Sequence, residues 1–485
     1  MPPGQPQPPH SSSSPGPSGG PPEPDGLLLC GARLADGRTV DVRLAGGRIE
    51  AVGTAGSLGR SSGRGSGRGS GRAGAFDTPT RPRTAGEPGE PGDRREPGGR
   101  REPGNPGDPG EAATASGPGR PDRGAPRDGG ARLDLSGYLL LPAPAEPHAH
   151  ADTALTADSG GPVSYDPEDV QRRATEAALL QLGHGATALR AHVRVGDVQG
   201  LGALKAVLRA RRALRGLTEL TTVAVPRVLT GAAGADGLAM LRDAVKMGAC
   251  VVGGCPDVDP DPVGYVEAVL EVASEHGRPV DLHTDGTDPA RLARIAAMAG
   301  GLRPGVTLGP CGGLSRLPAE AAARAAEQLA AAGVAVVCLP QGGCAGTEGP
   351  GTAPVRLLRA AGVRVAAGSG ALRDVSNPVG RGDPLEAAYL LASHHGLRPE
   401  DAYEAVSASA RAVLGLPAVR VEAGFPAELL AVRGERLAGA LSLGYSRIVV
   451  HRGRVVARTS AVREFCDSAA SVELGLPRQG RGELS

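Results

Sequence analysis

Short apolar runs alternate with amphipathic stretches between residues 137 and 415, and this pattern constrains the fold more than any other feature of the chain. Eight runs have the length and composition of buried strands, and they cover residues 138–141, 186–195, 220–225, 249–253, 279–283, 305–308, 334–339 and 363–367. From the second run onward the spacing is roughly 30 residues, the size of one strand–helix–strand unit. Eight such units predict a closed, TIM-like (β/α)8 barrel, whose functional residues lie at the C-terminal ends of its strands.

Both ends of the chain carry a second kind of pattern, made of short strand-like runs separated by tight turns. Residues 26–56 contain three such runs with Asp36-Gly37 and Gly46-Gly47 turns, and residues 416–460 contain three more. Neither end has enough strands to bury a face alone. We therefore expect the two ends to combine into one small β-sandwich beside a barrel that spans residues 131–415.

Glycine and proline are concentrated in segments with almost no apolar residues. The chain holds 76 Gly and 44 Pro, and many of them fall in residues 1–25 and 57–130, where Gly-Arg-Gly-Ser and Glu-Pro-Gly repeats alternate with charges. Such composition cannot bury enough apolar surface to offset the entropy of ordering. The sequence predicts a disordered N-terminus and a disordered insertion, and it leaves residues 461–485 as a C-terminal tail.

Charge and composition exclude several classes of protein. The formal net charge is +1 and the chain has nine aromatic residues, three Phe and six Tyr, which argues against nucleic-acid binding. No apolar run approaches the length of a membrane span. The seven cysteines are scattered without CxxC spacing, as expected of a reduced, cytoplasmic protein. Whether the chain forms a homo-oligomer stays open.

Three histidines stand where a barrel would place a metal site. His148 and His150 follow the first predicted strand, and His283 ends the fifth. Alternate residues of an extended segment share a face, so His148 and His150 project together and can bind one ion. Two histidines in a loop are by themselves weak evidence, but their position in this barrel strengthens the prediction.

Four segments in combination resemble the amidohydrolase superfamily, and within it the cytosine deaminase-like branch. They are EPHAHADT at 146–153, RAHV at 190–193, DLHTD at 281–285, and the eighth-strand region at 368–380. The resemblance implies a metal-dependent hydrolase that removes ammonia or an amine from a nitrogen heterocycle, a small-molecule substrate. It also implies one divalent ion, zinc or iron, bound by His148, His150 and His283.

The chain departs from the deaminase pattern at four functional positions. Gly286 stands where the pattern has a proton-transferring Glu, and Pro310 replaces a strand-six His. Gly370 replaces the strand-eight Asp that binds metal and acts as a base, and Arg227 replaces a Gln that contacts the substrate. The usual proton carriers are therefore absent.

Other residues are candidates for the missing roles. Asp285 is the nearest acid to a predicted ligand and is the predicted catalytic residue, with Asp374 and Glu146 as alternatives. His192 and Arg227 are the predicted substrate-binding residues, although a structural role for His192 stays open. A thiolate site formed by Cys255, Cys311 and Cys344 is a further alternative, but buried cysteines without a metal are the commoner case.

Two hypotheses follow for the function. The first is a cytosine deaminase-like hydrolase with an altered proton relay. The second is an inactive amidohydrolase-fold pseudoenzyme that acts as a binding or regulatory protein. We expect the native protein to turn over cytosine negligibly, even when it is loaded with zinc, and Gly286→Glu and Gly370→Asp together to have a larger effect than either change alone.

Overall fold

The computed structural model describes residues 26–58, 131–159, 161–196, 199–342 and 351–461. The predictions of disorder for residues 1–25 and 57–130 and of a tail at 461–485 fall, apart from their edge residues, outside this part of the chain. None of the helices within it has both the length and the apolar character needed to cross a bilayer.

Within the described residues, sixteen strands form two sheets. The strands are β1 Leu27–Arg33, β2 Thr39–Ala45, β3 Arg48–Thr54, β4 Ala131–Asp134, β5 Tyr138–Pro142, β6 Ala145–Ala149, β7 Ala188–Val195, β8 Glu219–Pro226, β9 Val251–Gly254, β10 Val280–Thr284, β11 Val306–Pro310, β12 Ala335–Cys338, β13 Val365–Ala367, β14 Leu429–Arg433, β15 Arg447–His451 and β16 Arg454–Thr459. The α-helices are α1 Pro167–Gly183, α2 Gly202–Ala213, α3 Gly234–Met247, α4 Pro262–Glu275, α5 Pro289–Ala299, α6 Ala319–Ala331, α7 Val355–Ala360, α8 Pro384–His394, α9 Pro399–Val406, α10 Ala408–Val413 and α11 Leu437–Leu443.

Strands β6 to β13 lie side by side in chain order and run parallel, with helices between them. A parallel bridge between Ala149 and Gly370 joins β6 to the segment that follows β13. The predicted (β/α)8 barrel is confirmed. Its strands are buried on both faces, as expected of parallel strands covered by helices.

Four of the barrel helices begin with the same dipeptide, Asp-Pro. Asp166, Asp261, Asp288 and Asp383 are the N-cap residues of α1, α4, α5 and α8, and each carboxylate accepts a hydrogen bond from a backbone N–H of the first turn. The following proline has a fixed φ suited to the first helical position and no N–H to leave unsatisfied. This local chemistry fixes where each helix starts after its strand.

The two chain ends form one sheet with the order β16-β15-β14-β5-β1-β2-β3, and β4 pairs with β1. This agrees with the predicted unit built from both ends. Helix α11, which the sequence patterns did not predict, lies between β14 and β15.

One predicted strand belongs to the other sheet. Residues 138–141, predicted as the first barrel strand, form β5, which pairs antiparallel with β14. The barrel itself starts at β6, so residues 131–142 leave the predicted barrel range and join the terminal sheet. Leu139 and Leu141 pack into the barrel core, whereas Leu140 packs into the core of the terminal sheet. Because β5 is buried on both faces, its apolar run has the same appearance as a barrel strand.

Candidate metal centre and active site

Four histidines converge at the C-terminal mouth of the barrel. His148 lies in β6, His150 follows it directly, His192 lies in β7 and His283 lies in β10. The ring centroids of His148, His192 and His283 are 4.2 to 4.5 Å apart. The ring of His150 lies 5.1 to 5.7 Å from the other three. The structure therefore places the three predicted ligands in one cluster with His192, but the group with the closest ring nitrogens consists of His148, His192 and His283 and does not include His150.

The cluster has the chemistry of a metal site. One ring nitrogen each of His148, His192 and His283 lies within 4.8 Å of the others, and all three side chains are buried. Both ring nitrogens of His283 are buried without a hydrogen-bond partner among the described residues. A buried polar atom without a partner is costly, and an ion would supply the missing interaction. Imidazole nitrogens suit zinc and iron.

Burial and neighbouring groups keep His148, His150 and His283 in the neutral form, which is the form that binds metal. Burial, followed by the neighbouring histidines, lowers the pKa of His148 and of His150 well below the usual range. Burial and His192 lower the pKa of His283 to about 3. The rings of His148, His150 and His283 are therefore neutral at physiological pH, and neutral imidazole is the ligand form.

Asp281 is a buried carboxylate that contacts His192 of the cluster and is held by Arg190. Its Oδ2 accepts a hydrogen bond of 2.8 Å from Nη1 of Arg190, and its Oδ1 lies 3.4 Å from Nε2 of His192. The second contact is electrostatic, because its geometry does not meet that of a hydrogen bond. Burial alone would raise the pKa of Asp281, but His192 and Arg190 lower that pKa to about 2. Asp281 is thus a buried carboxylate anion directly behind His192.

A cavity of about 170 Å³ opens beside the histidines. Its walls consist of His150, Thr153, His192, Arg194, Val225, Cys255, His283, Asp374, Val375 and Ser376. Arg194 is about half exposed, and its Nε lies 3.5 Å from Oδ2 of Asp152. Burial raises the pKa of the Cys255 thiol to about 11, so this side chain is a neutral thiol. The cavity has the size of a small ring compound and the polar walls to orient one.

Asp374 supplies the carboxylate of this cavity. Three donors hold it in place: the Thr153 hydroxyl at 2.9 Å, the Ser376 backbone N–H at 2.8 Å and the Asn377 backbone N–H at 3.3 Å. The side chain is buried and follows β13, the last barrel strand. Among the lining residues that the structure describes, Asp374 is the one carboxylic acid.

Asp285, the predicted catalytic residue, has other partners. Its carboxylate accepts a hydrogen bond from the backbone N–H of Gly313 at 3.0 Å and forms a very short ion pair with Arg316. It is not among the residues that line the cavity. The catalytic role of Asp285 stays a prediction, and this geometry is that of a loop-fixing residue.

The two predicted substrate-binding residues lie in different places. His192 lines the cavity, whereas Arg227 is exposed and lines a separate surface depression with Lys205 and Asp236. Of the alternative cysteine site, Cys255 lines the cavity, Cys311 is buried away from the cavity wall, and Cys344 falls outside the described residues.

Glu146 is fully buried and does not line the cavity. Its carboxylate accepts hydrogen bonds from the backbone N–H groups of His148 at 2.9 Å and Ser369 at 2.8 Å, and from the Ser369 hydroxyl. Burial raises its pKa to about 7, while the hydrogen bonds from Ser369 act in the opposite direction. With no exposed surface, Glu146 has no contact with the cavity and fixes the backbone of His148 instead.

At two of the positions that depart from the deaminase pattern, the backbone conformation also favours glycine. Gly286 and Gly370 have φ angles of +74° and +71°, in the region that favours glycine. A Cβ added at Gly286 would lie 3.3 Å from Cγ of Leu314 and 3.4 Å from Cδ1 of Leu292. The Cβ of any other residue at position 286 would therefore crowd these two leucines.

Sequence reasoning missed two features of the site. It predicted His192 only as a substrate contact or structural residue, and it gave Asp374 no priority over Asp285. The RAHV segment and the Asp after strand eight were the available signals. Their positions depend on strand register and on the loop after β13, which residue patterns do not determine.

Comparison with known proteins agrees with this geometry. The profile of the amidohydrolase family matches residues 165–457, more than half of the chain. A pterin deaminase from Rhizobium rhizogenes is 27% identical over 368 residues, which cover 68% of this chain and 83% of that protein.

Two solved structures share the fold. N-isopropylammelide isopropylaminohydrolase from Burkholderia multivorans aligns with a TM-score of 0.67 at 24% identity, covering 90% of this chain and 100% of that chain. A 5-methylcytosine deaminase from Klebsiella pneumoniae aligns with a TM-score of 0.67 at 21% identity, covering 91% and 100%. The predicted resemblance to this superfamily and to its deaminase-like members is confirmed.

Proposed function

The chain belongs to the amidohydrolase family, and we propose that it hydrolyses the bond between a nitrogen heterocycle and an exocyclic amine. The observation that carries the proposal is the cluster of buried imidazoles at the barrel mouth, beside a cavity of about 170 Å³ that has one acid, Asp374, among its described lining residues. The similar proteins named above act on pterin, N-isopropylammelide and 5-methylcytosine. We infer that the substrate is likewise a ring compound with an amino or alkylamino substituent.

We propose that the histidine cluster, with His148, His150 and His283 as the predicted set, holds one divalent ion per chain, zinc or iron. Such an ion supplies Lewis-acid activation of a water molecule when it is bound. Side chains of the cavity wall bind the substrate. Val225 and Val375 offer apolar contacts to a ring, and Asp374 accepts a hydrogen bond from an amino group or ring N–H.

Proton transfer is assigned to Asp374. Hydrolysis adds the oxygen of water to the ring carbon and releases the amine, so one proton must move from the water to the departing nitrogen. Asp374 faces the cavity and is held by Thr153 and by two backbone N–H groups. Asp285 is tied to Arg316 outside the cavity wall. These contacts support Asp374 as the residue that carries the proton.

The proposal is tested by measuring ammonia or amine release from pterin, N-isopropylammelide, 5-methylcytosine and cytosine by zinc-loaded protein. We expect turnover of at least one amino-substituted ring other than cytosine. Asp374→Asn should lower kcat by about 10²–10⁴-fold, the usual contribution of a positioned acid–base group. Asp285→Asn is the matched control and should change kcat only a few-fold.

Two other results would change the assignment. A large loss of kcat in Asp285→Asn, with Asp374→Asn nearly unaffected, would restore the role predicted for Asp285 from the sequence. If no compound releases ammonia or an amine, but calorimetry shows that one of them binds, the result would support the pseudoenzyme hypothesis. That hypothesis is favoured by Gly286 and Gly370, the glycines with positive φ that replace acids of the deaminase pattern.

A further inference from the structure

The strand-eight position next to the histidine pair has no side chain. Gly370 pairs with Ala149, the residue between His148 and His150, and its φ is +71°. In the deaminase-like pattern an Asp ligand stands here. A metal ion at the barrel mouth therefore lacks its usual carboxylate ligand on this side.

His192 lies where it can supply another ligand. Its ring is the nearest to that of His148, with centroids 4.2 Å apart, and one of its nitrogens belongs to the group that lies within 4.8 Å. Its side chain is 1% exposed, and neither ring nitrogen makes a hydrogen bond to the described part of the chain. A buried imidazole in this state needs a further partner.

The surroundings of His192 are those of a metal-binding histidine. Asp281 lies 3.4 Å from its Nε2 and is itself bound by Arg190 at 2.8 Å, and Nη2 of Arg190 donates to the carbonyl of Val413 at 2.9 Å. Histidine ligands commonly have a carboxylate behind them that fixes the ring orientation. Asp281 is placed to do this for His192.

We infer that His192 is a metal ligand that replaces the missing strand-eight Asp, so that the ion is held by imidazoles alone. The inference rests on the metal site of the proposed function and not on turnover. An all-nitrogen set favours zinc, cobalt, nickel or iron over magnesium, calcium and manganese, which prefer oxygen ligands. His192 thus has a different role from the substrate contact predicted from the sequence.

Cobalt binding tests the inference. Metal-free protein is titrated with Co²⁺, and stoichiometry and visible ligand-field absorption are recorded for the native chain, His192→Gly and Cys255→Ala. We expect one Co²⁺ per native chain, with no displacement by excess Mg²⁺. His192→Gly should weaken binding by more than the 10–100-fold typical of second-shell losses and alter the spectrum, and added imidazole should restore it. Cys255→Ala, a cavity-wall residue with a neutral thiol, should match the native chain.

A second measurement on the native protein avoids any folding defect of the variant. The paramagnetically shifted NMR spectrum of the Co²⁺ form should contain four exchangeable imidazole N–H resonances, one for each histidine of the cluster. An affinity and a spectrum that are unchanged in His192→Gly, or a native spectrum without an N–H resonance from His192, would overturn the inference. A chain with four resonances that releases no amine would refute the proposed function and leave this inference intact.

Discussion

The carboxylate of Glu146 accepts hydrogen bonds from both the backbone N–H and the hydroxyl of Ser369, which connects the first barrel strand to the segment after the last. The same carboxylate holds the backbone N–H of His148 at 2.9 Å. One buried acid therefore closes the barrel and fixes the start of the histidine pair.

Ser369→Ala removes one of these donors from a carboxyl group that stays buried. We expect the free energy of unfolding to fall by about 1–3 kcal/mol, the cost of leaving a buried polar group with an unmet hydrogen bond. Chemical denaturation measures the change. Ser393→Ala is the matched control, because its hydroxyl bonds to the carbonyl of Tyr389 at an exposed position, and its effect should stay within about 0.5 kcal/mol. Equal effects of the two variants would contradict the role given to Ser369.

Gly286→Glu restores the acid of the deaminase pattern, but the structure predicts no gain from it. The residue would adopt a left-handed φ of +74° with its Cβ against Leu314 and Leu292. Strain of this kind costs roughly 1–3 kcal/mol, and thermal unfolding should report the loss. Gly301→Glu, where a Cβ meets nothing within 4 Å and the backbone is not left-handed, should leave the melting temperature nearly unchanged. Increased cytosine turnover by Gly286→Glu, alone or with Gly370→Asp, would show that the pattern can be restored after all.

The buried ion pair between Asp383 and Arg447 should make the stability of the fold depend on pH. The pair joins the start of α8 to β15 through two hydrogen bonds of 2.7 and 2.6 Å, and both side chains are about 5% exposed or less. Burial acts to raise the pKa of Asp383, but the bonds from Arg447 outweigh it and lower that pKa below 3.8. A lowered pKa means that the ionised carboxylate stabilises the fold above pH 3.8, and that this contribution is lost as pH falls through the folded-state value.

Asp383→Asn should therefore destabilise the protein most at neutral pH, by roughly 3–5 kcal/mol, because it leaves the buried Arg447 charge unpaired. The difference from the native chain should shrink below about pH 4. Denaturation at several pH values measures it. Asp243→Asn, which breaks an exposed pair with Lys246 at 3.6 Å, should change stability by less than about 1 kcal/mol at any pH. A pH-independent loss in Asp383→Asn would contradict this account.

The barrel was predictable because its strands are short apolar runs between glycine, proline and amphipathic helices. Seven of the eight predicted strands lie within two residues of the bounds of barrel strands β7 to β13. The exception, residues 138–141, fails for a physical reason: β5 packs Leu139 and Leu140 into two different cores, so its pattern does not show to which sheet it belongs.

The site was predictable in part. Alternation within an extended segment brings His148 and His150 to one face, and the barrel brings His283 to them. The proximity of His192 and the inward position of Asp374 depend on strand twist and on the loop after β13. Asp285 pairs with Arg316, which lies in the segment after β11. Non-local geometry of this kind leaves no periodic signal in the sequence.

The central claim is that this chain is a hydrolase whose activity depends on a metal held by its histidine cluster. Its most direct test is amine release from the best heterocycle of the panel, measured against zinc added to metal-free protein. We predict no release without metal, then a rise that saturates at one equivalent of zinc per chain and is absent in His148→Ala. Equal release from the metal-free protein, or no release from a chain that has bound one equivalent, would contradict the claim.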